Sequence, residues 1–449
     1  MRESLVEILE ERSELTTKGI TFIESGEKDV FVSYQQLYCR SLHVLSVLQS
    51  QGLKSKDELV FQIGDNEVFV FVFWACILGG IIPVPLTIGR NEDHRQKLFN
   101  IWKVLNNPYI IISVEDLHKI KKHAEVNQLN RLFDSMYERR VDVENIQGAG
   151  GTGTVYRPER EEIAYIQFSS GSTGLPKGIV LTHKNLITNM EAIALASNYT
   201  QHDSMLSWMP VTHDMGLIGF HLCPLYSGMN HYLMPTNLFI RRPALWLDKA
   251  SQYKTTVLCS PNFGCKYLLK QYRPGNDYSW DLSDVRIIYN GAEPIFPEIC
   301  SEFSQTLESY GLMRTAMRPV YGLAEASVAV SFSESYTEVA SLSIERKKLR
   351  IGEPVILRAQ DENTVSFVNV GKTIPYCRLK ITDNNNDICS EDVIGHIRIQ
   401  GDNVTSGYYN NPEATKKVIS GDGWLDTGDL GFIHDRCLYI TGRSKDIFL

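Results

Sequence analysis

The residues best equipped for chemistry lie between 163 and 178. Ile163-Ala164-Tyr165-Ile166-Gln167-Phe168 is apolar and β-prone, and it runs straight into Ser169-Ser170-Gly171-Ser172-Thr173-Gly174-Leu175-Pro176-Lys177-Gly178. The three glycines let backbone N–H groups approach an anion, and the hydroxyls of Ser169, Ser170, Ser172 and Thr173 add donors. Lys177 supplies a fixed positive charge for phosphate oxygens. The Walker phosphate loop is a different pattern, because here six residues separate Gly171 from Gly178 and the lysine precedes the last glycine. These residue types describe a site for a phosphorylated ligand.

Such a loop works only when rigid elements hold its ends. Short β-rich apolar runs alternate with helical patterns through the first part of the chain, with strands expected at 58–63, 109–113, 256–260 and 285–289. That alternation predicts an α/β architecture with a largely parallel sheet. Beyond about residue 340 the texture changes to short strands (378–382, 396–400, 437–441) around the turn cluster Asp383-Asn384-Asn385-Asn386-Asp387. A smaller β-rich subdomain is expected there.

Composition narrows the function classes. The 449 residues carry 45 Lys+Arg against 53 Asp+Glu, a net charge of −8, with 43% hydrophobic and 22% charged residues. This is a globular composition, and a chain longer than about 300 residues implies two or more packed units. Mild acidity offers no general attraction for nucleic acid. The nine cysteines are scattered, with no C-x-x-C. They suggest neither a disulfide framework nor a zinc site, and a reducing cytosol is expected. Met1-Arg2-Glu3-Ser4 opens no signal-peptide pattern. The charge-free stretch 68–86 is long enough for a bilayer, but Gly79-Gly80, Pro83 and Pro85 interrupt it. A buried helix over about 67–78 and a buried strand over 81–84 are expected, with no membrane partner. Two motifs are decoys. Gly148, Gly150 and Gly153 satisfy G-x-G-x-x-G without a preceding strand or a following helix, and Asp383-x-Asn385-x-Asp387 lacks the glycine and closing glutamate of a calcium loop.

With Ile179-Val180-Leu181-Thr182-His183-Lys184-Asn185 after it, the loop resembles the phosphate-loop signature of adenylate-forming enzymes. This superfamily contains acyl-CoA synthetases, luciferases and nonribosomal-peptide adenylation domains. Further matches follow in the family's order. Asn290-Gly291-Ala292-Glu293-Pro294 resembles the adenine-binding strand end, and Tyr321-Gly322-Leu323-Ala324-Glu325 the aromatic–Gly–x–x–Glu motif. Gly423-Trp424-Leu425-Asp426-Thr427-Gly428-Asp429-Leu430-Gly431 resembles the ribose-binding signature, and Gly442-Arg443-Ser444-Lys445-Asp446 the hinge.

The resemblance implies ATP-dependent carboxylate activation. A carboxylate is a poor nucleophile facing a polyanion, so charge must be neutralised and the reactants aligned. By resemblance, Ser169, Ser170, Gly171, Ser172, Thr173, Gly174 and Lys177 hold the phosphates, and Thr173 and Glu325 position Mg²⁺ as hard oxygen ligands. Asn290, Gly291, Ala292 and Glu293 take the adenine side. Tyr321, with Gly322 behind it, offers a flat face to the base. Asp429 accepts hydrogen bonds from the ribose hydroxyls, with Arg443 as a second ribose or phosphate contact, and Lys445 belongs to the hinge.

Trp208-Met209-Pro210-Val211-Thr212-His213-Asp214-Met215-Gly216-Leu217-Ile218-Gly219 and Ser260-Pro261-Asn262-Phe263 resemble the fatty acyl-AMP ligase branch. Members of that branch pass acyl adenylates to carrier proteins. His213, Met215, Gly216 and Phe263 would line the acyl pocket, and Asp214 would be structural. The segment between Val330 and Cys377 resembles an insertion that disfavours coenzyme A. One departure stands out: the branch usually continues with Ala-Tyr after Asn262-Phe263, whereas here Gly264-Cys265 follows. A reshaped pocket makes a short or substituted acid as acceptable as a long-chain one.

The expectation is an α/β fold of layered sheets (αβαβα) with a smaller β-rich, distorted-barrel subdomain: the large N-terminal domain of the adenylate-forming fold. Residues 1–340 would form the α/β subdomains, 341–441 the insertion and β-rich part, and 442–449 a hinge stub. The family's small C-terminal domain would follow the hinge, beyond Leu449. The expected cofactors are ATP and Mg²⁺, and the partners are a carboxylic acid and an acyl carrier protein or carrier domain. An acyl-CoA synthetase and a non-catalytic adenylate-binding module are the alternatives.

Overall fold

The computed structural model describes residues 2–25, 28–89, 91–142, 151–169, 176–275 and 277–445. The chain divides into two compact units. One comprises Met1–Phe22, Val30–Ile187 and Thr405–Thr415; the other comprises Ile23–Asp29, Thr188–Val404 and Lys416–Leu449.

The first unit is built on four parallel strands in the order Ile82–Pro85, Glu58–Phe61, Pro108–Ile112, Arg140–Asp142. The charge-free stretch is a core helix, Asn66–Gly79, buried continuously from Phe69 to Gly79. Its ends are written locally. The Asp65 carboxylate accepts the Glu67 and Val68 N–H groups, and Gly80 closes the helix at φ +65°, where glycine avoids the Cβ penalty. Buried on every face, each of its large side chains contributes about 1.5–3 kcal/mol from burial. No described helix is long and apolar enough to cross a membrane. The same unit contains the hairpin Ile163–Ser169 and Lys177–Thr182. Of the decoy glycines, Gly148 and Gly150 lie outside the described residues, and Gly153 packs on Leu45.

The second unit holds five parallel strands in the order Asn230–Leu233, Ser204–Ser207, Val257–Cys259, Ile287–Asn290, Met317–Tyr321. Ser331–Phe332 and Lys372–Thr373 extend this sheet antiparallel. The strands are largely buried and mostly apolar, as a sheet covered on both faces requires, with Ser204, Ser207, His231, Asn290 and Arg318 as buried polar exceptions. Four motif segments leave the carboxyl ends of four adjacent strands: Trp208-Met209-Pro210, Ser260-Pro261-Asn262, Asn290-Gly291-Ala292 and Tyr321-Gly322. That edge is where open α/β sheets bind ligands.

The β-rich part is an antiparallel meander, Cys377–Thr382, Gly395–Gly401, Leu425–His434 and Cys437–Arg443. Beside it lies the hairpin Ser341–Glu345 and Thr364–Val368. Ile344, Ile394, Phe432 and Tyr439 form its core. In the expected turn, the Asp383 carboxylate accepts the Asn385 and Asp387 N–H groups at 2.8 and 2.9 Å, so it serves the turn itself.

Candidate functional site

In the first unit, Ser169 and Lys177 face each other across the hairpin. The phosphate-type loop is therefore a connection between antiparallel strands, and the helix His183–Ala196 begins only after the return strand. Ser170, Gly171, Ser172, Thr173 and Gly174 lie outside the described residues. Lys177 Nζ lies 4.7 Å from the centroid of the buried Tyr408 ring, a cation–π contact that steadies the ammonium without neutralising it. The Tyr409 N–H donates to the Gly178 carbonyl at 2.7 Å, fixing the segment that carries Tyr408 against the hairpin.

In the second unit, the aromatic and ribose-type motifs meet although 108 residues separate them: the Tyr321 hydroxyl donates to Asp429 Oδ2 at 2.7 Å. Tyr321 is the last residue of its strand. Gly322 follows it and passes close to the Val328 backbone, where a Cβ would lie 2.8 Å from the Val328 carbonyl carbon. Asp429 faces Arg443 across the hairpin, and Arg443 Nε stands 3.3 Å from Asp429 Oδ1. The Asp429 N–H donates to Thr427 Oγ1, whose hydroxyl donates to the Ile397 carbonyl. Burial raises the Asp429 carboxyl above the usual range, against the Tyr321 hydrogen bond and the Arg443 charge. Burial and the Asp429 charge push the Tyr321 phenol well up.

Asn290 ends the neighbouring strand, fully buried. Its Nδ2 reaches Cys300 Sγ at 3.4 Å and Asn262 Oδ1 at 3.5 Å, while its Oδ1 has no hydrogen-bond partner among the described residues. Gly291 packs against Val320, and Ala292 takes φ +68°, a left-handed turn rarely occupied by a residue with a side chain. Glu293 points elsewhere: its carboxylate accepts the Phe263 N–H. It thereby caps the helix Asn262–Gln271, whose residue before the first turn, Pro261, offers no side-chain cap. Glu325 lies half-buried on the single turn Ala324–Ala326. Lys445 is exposed beyond the last strand, and the Ser444 N–H donates to the Gly428 carbonyl at 3.0 Å.

After the strand Ser204–Ser207, Met215 and Gly216 open a helix, Met215–Leu222, wound with the wide π repeat. Gly216 lies so close to Pro210 that a Cβ would fall 2.8 Å from its carbonyl carbon. The Asp214 carboxylate accepts the Met215 N–H at 2.6 Å and pairs with His213 Nδ1 at 2.7 Å. Burial lowers the His213 pKa, but the Asp214 hydrogen bond and charge outweigh it and leave the imidazole above its ordinary value. Phe263 is 53% exposed and meets the edge of Trp208, with ring centroids 5.7 Å apart.

These motifs lie in a chain whose residues 10–409 match the family model described as AMP-binding enzyme. The chain belongs to the AMP-binding enzyme family. It is 30% identical to the medium-chain-fatty-acid–[acyl-carrier-protein] ligase JamA of Moorena producens, over 99% of this chain and 77% of that one. It is 34% identical to the corresponding ligase TtuA of Teredinibacter turnerae, over 95% and 74%. Among solved structures it is similar to the adenylation domain of a keto acid-selecting NRPS module bound to keto acyl adenylate. That match has a TM-score of 0.92 at 31% identity, covering 100% of this chain and 81% of that one. The fatty acid AMP ligase from Legionella pneumophila matches with a TM-score of 0.89 at 28% identity, covering 99% and 77%. The expected α/β architecture with its β-rich part is thus the adenylate-forming fold.

Several features of this AMP-binding enzyme were not foreseen from the sequence. The Trp208 ring lies parallel to Phe239, with centroids 3.9 Å apart, and fills the space beside Gly264. The small residue at 264 therefore leaves no void there, since the tryptophan occupies it. The Glu293 cap, the Thr427 support and the π helix were also missed. Only the π helix had a local signal, in Gly216 and Gly219, and π turns recur at functional sites.

Proposed function

We propose that this AMP-binding enzyme is an acyl-adenylating ligase. An oxygen of a carboxylic acid attacks the α-phosphorus of ATP, the bond to the β-phosphate oxygen breaks, and pyrophosphate leaves. The phosphopantetheine thiol of an acyl carrier protein then attacks the acyl carbonyl, releasing AMP and forming a thioester. No protein side chain is acylated, so catalysis consists of positioning and charge stabilisation. The observation that carries this reading is the Tyr321–Asp429 contact, which joins a base-stacking ring and a diol-accepting carboxylate at the carboxyl edge of the parallel sheet.

Each residue follows from that role. Ser169, Ser170, Gly171, Ser172, Thr173, Gly174 and Lys177 hold the β- and γ-phosphates. The orphaned Asn290 Oδ1 suits a donor such as the exocyclic amine of adenine. Asp429 takes the ribose hydroxyls and Arg443 a ribose or phosphate oxygen. His213, Met215, Gly216 and Phe263 face the acyl group, and Lys445 belongs to the hinge. Glu293 acts on this site from behind, by capping the helix that carries Phe263. No group of three or more His, Cys, Asp or Glu among the described residues could cage a metal. A magnesium carried on the nucleotide phosphates, taking one carboxylate from Glu325 and one hydroxyl from Thr173, fits that donor set and would neutralise phosphate charge. The similarity to the acyl-carrier-protein ligases JamA and TtuA supports the carrier protein as acceptor, and we place the enzyme in the cytosol.

Pyrophosphate release measured with a panel of carboxylic acids tests the first step. Presenting a pantetheinylated carrier and coenzyme A separately tests the second. Acid-dependent release with transfer to the carrier supports the proposal. Release with transfer to coenzyme A alone would make the protein an acyl-CoA synthetase, and nucleotide binding without turnover would make it a binding module.

A further inference from the structure

We propose that Tyr321 is a positioning residue for the ribose of the nucleotide: its hydroxyl holds the Asp429 carboxylate in the orientation that receives the ribose hydroxyls. This rests on the adenylating function proposed above. It assigns the phenol a task separate from that of the ring face, which is offered to adenine.

The two oxygens of Asp429 are held differently. Oδ2 takes the Tyr321 hydroxyl at 2.7 Å, with both residues buried, whereas Oδ1 is approached at 3.3 Å by Arg443, whose side chain is 71% exposed. One arm is internal and fixed; the other reaches in from solvent and can leave. A carboxylate has about four lone-pair sites, so the tyrosine occupies one and leaves acceptors for a vicinal diol.

The surroundings hold each partner. The Asp429 backbone is tied to Thr427, and Thr427 to Ile397, leaving side-chain rotation as the freedom to be restrained. Tyr321 is fixed from its own strand, where its carbonyl accepts the Val330 N–H at 2.9 Å, and by the close approach of the Gly322 and Val328 backbones. Burial works against the ionised form of Asp429, so a donor that stays in place when Arg443 moves keeps it an acceptor.

Tyr321→Phe retains the ring and removes only the hydroxyl. Calorimetric binding of ATP, 2′-deoxy-ATP and 3′-deoxy-ATP to the full chain, to this variant and to Asp429→Asn supplies the test. The wild type is expected to prefer ATP over either deoxy analogue by about tenfold, the scale of one hydrogen bond to a charged acceptor. Tyr321→Phe should weaken ATP by about fivefold and leave the analogues nearly unchanged, so the preference shrinks to about twofold. Asp429→Asn should abolish it. Equal weakening of all three nucleotides by Tyr321→Phe would mark a merely structural role and overturn the inference, as would no change in any of them. Wild-type binding without hydroxyl preference would overturn this inference alone. Absence of ATP binding by the wild type would overturn the adenylating function with it.

Discussion

Gly264→Ala tests the close packing of Trp208 and Ser260 around the start of the helix Asn262–Gln271. Alanine is the residue the fatty acyl-AMP ligase branch usually carries there, so by resemblance the change is harmless. The structure says otherwise. A Cβ at 264 would lie 2.9 Å from Trp208 Cη2, and closer still to Cζ2 and to Ser260 Oγ, inside the 3.0 Å that real Cβ atoms essentially never breach. Trp208 has no room to withdraw, because it is 1% exposed and stacked on Phe239 at an interplanar angle of 3°. Overpacking a closed core costs about 1–3 kcal/mol, and two simultaneous collisions place this variant near 2. Urea denaturation followed by tryptophan fluorescence reads the loss. The control is Trp208→Phe, which deletes the colliding ring atoms and breaks no hydrogen bond among the described residues. In that background only the Ser260 Oγ collision remains, so Gly264→Ala should cost about 1 kcal/mol, a coupling of about 1 kcal/mol. A wild-type background that accepts Gly264→Ala without loss would refute the packing argument, as would an equal loss in both backgrounds.

Three further outcomes are expected. Glu293→Gln should destabilise the helix Asn262–Gln271 by about 1 kcal/mol, seen as faster amide exchange at Phe263, because a charged cap becomes a neutral one. Tyr408→Leu removes the aromatic face beneath Lys177 and should raise the ATP KM by about three- to tenfold in the folded protein, beside a loss of about 1–3 kcal/mol of stability for the buried ring. His183 is buried with Nδ1 accepting the Leu5 N–H at 3.1 Å, and burial lowers its pKa to about 4 despite the Glu162 charge. The unfolded chain binds that proton more readily, so the contribution is present above about pH 6.5 and disappears as the pH falls through 4. It amounts to about 3 kcal/mol, and His183→Gln should flatten the unfolding free energy over that interval.

What the sequence made legible was local. The core helix Asn66–Gly79 could be read from its apolar run and from Gly79-Gly80, because glycine stops act within a few residues. The strand ends before Asn290-Gly291 and Tyr321-Gly322 were legible as motifs. That both leave one edge of a parallel sheet is seen only in the folded strand order. What stayed hidden was contact across distance. Trp208 filling the space at Gly264, Glu293 capping a helix 30 residues upstream and Tyr321 meeting Asp429 are set by the folded sheet, and no periodicity encodes them. Glu293 shows the consequence: within its motif it reads as a nucleotide ligand, yet its carboxylate is engaged by the Phe263 N–H.

Adenylation of a carboxylic acid by this chain is read out by mass spectrometry of the protein incubated with MgATP and a series of medium-chain, short and keto-substituted acids. An acyl-AMP appearing with at least one acid, in step with pyrophosphate and lost in Asp429→Asn, is the predicted result. Absence of every acyl-AMP while the folded protein binds ATP would contradict it.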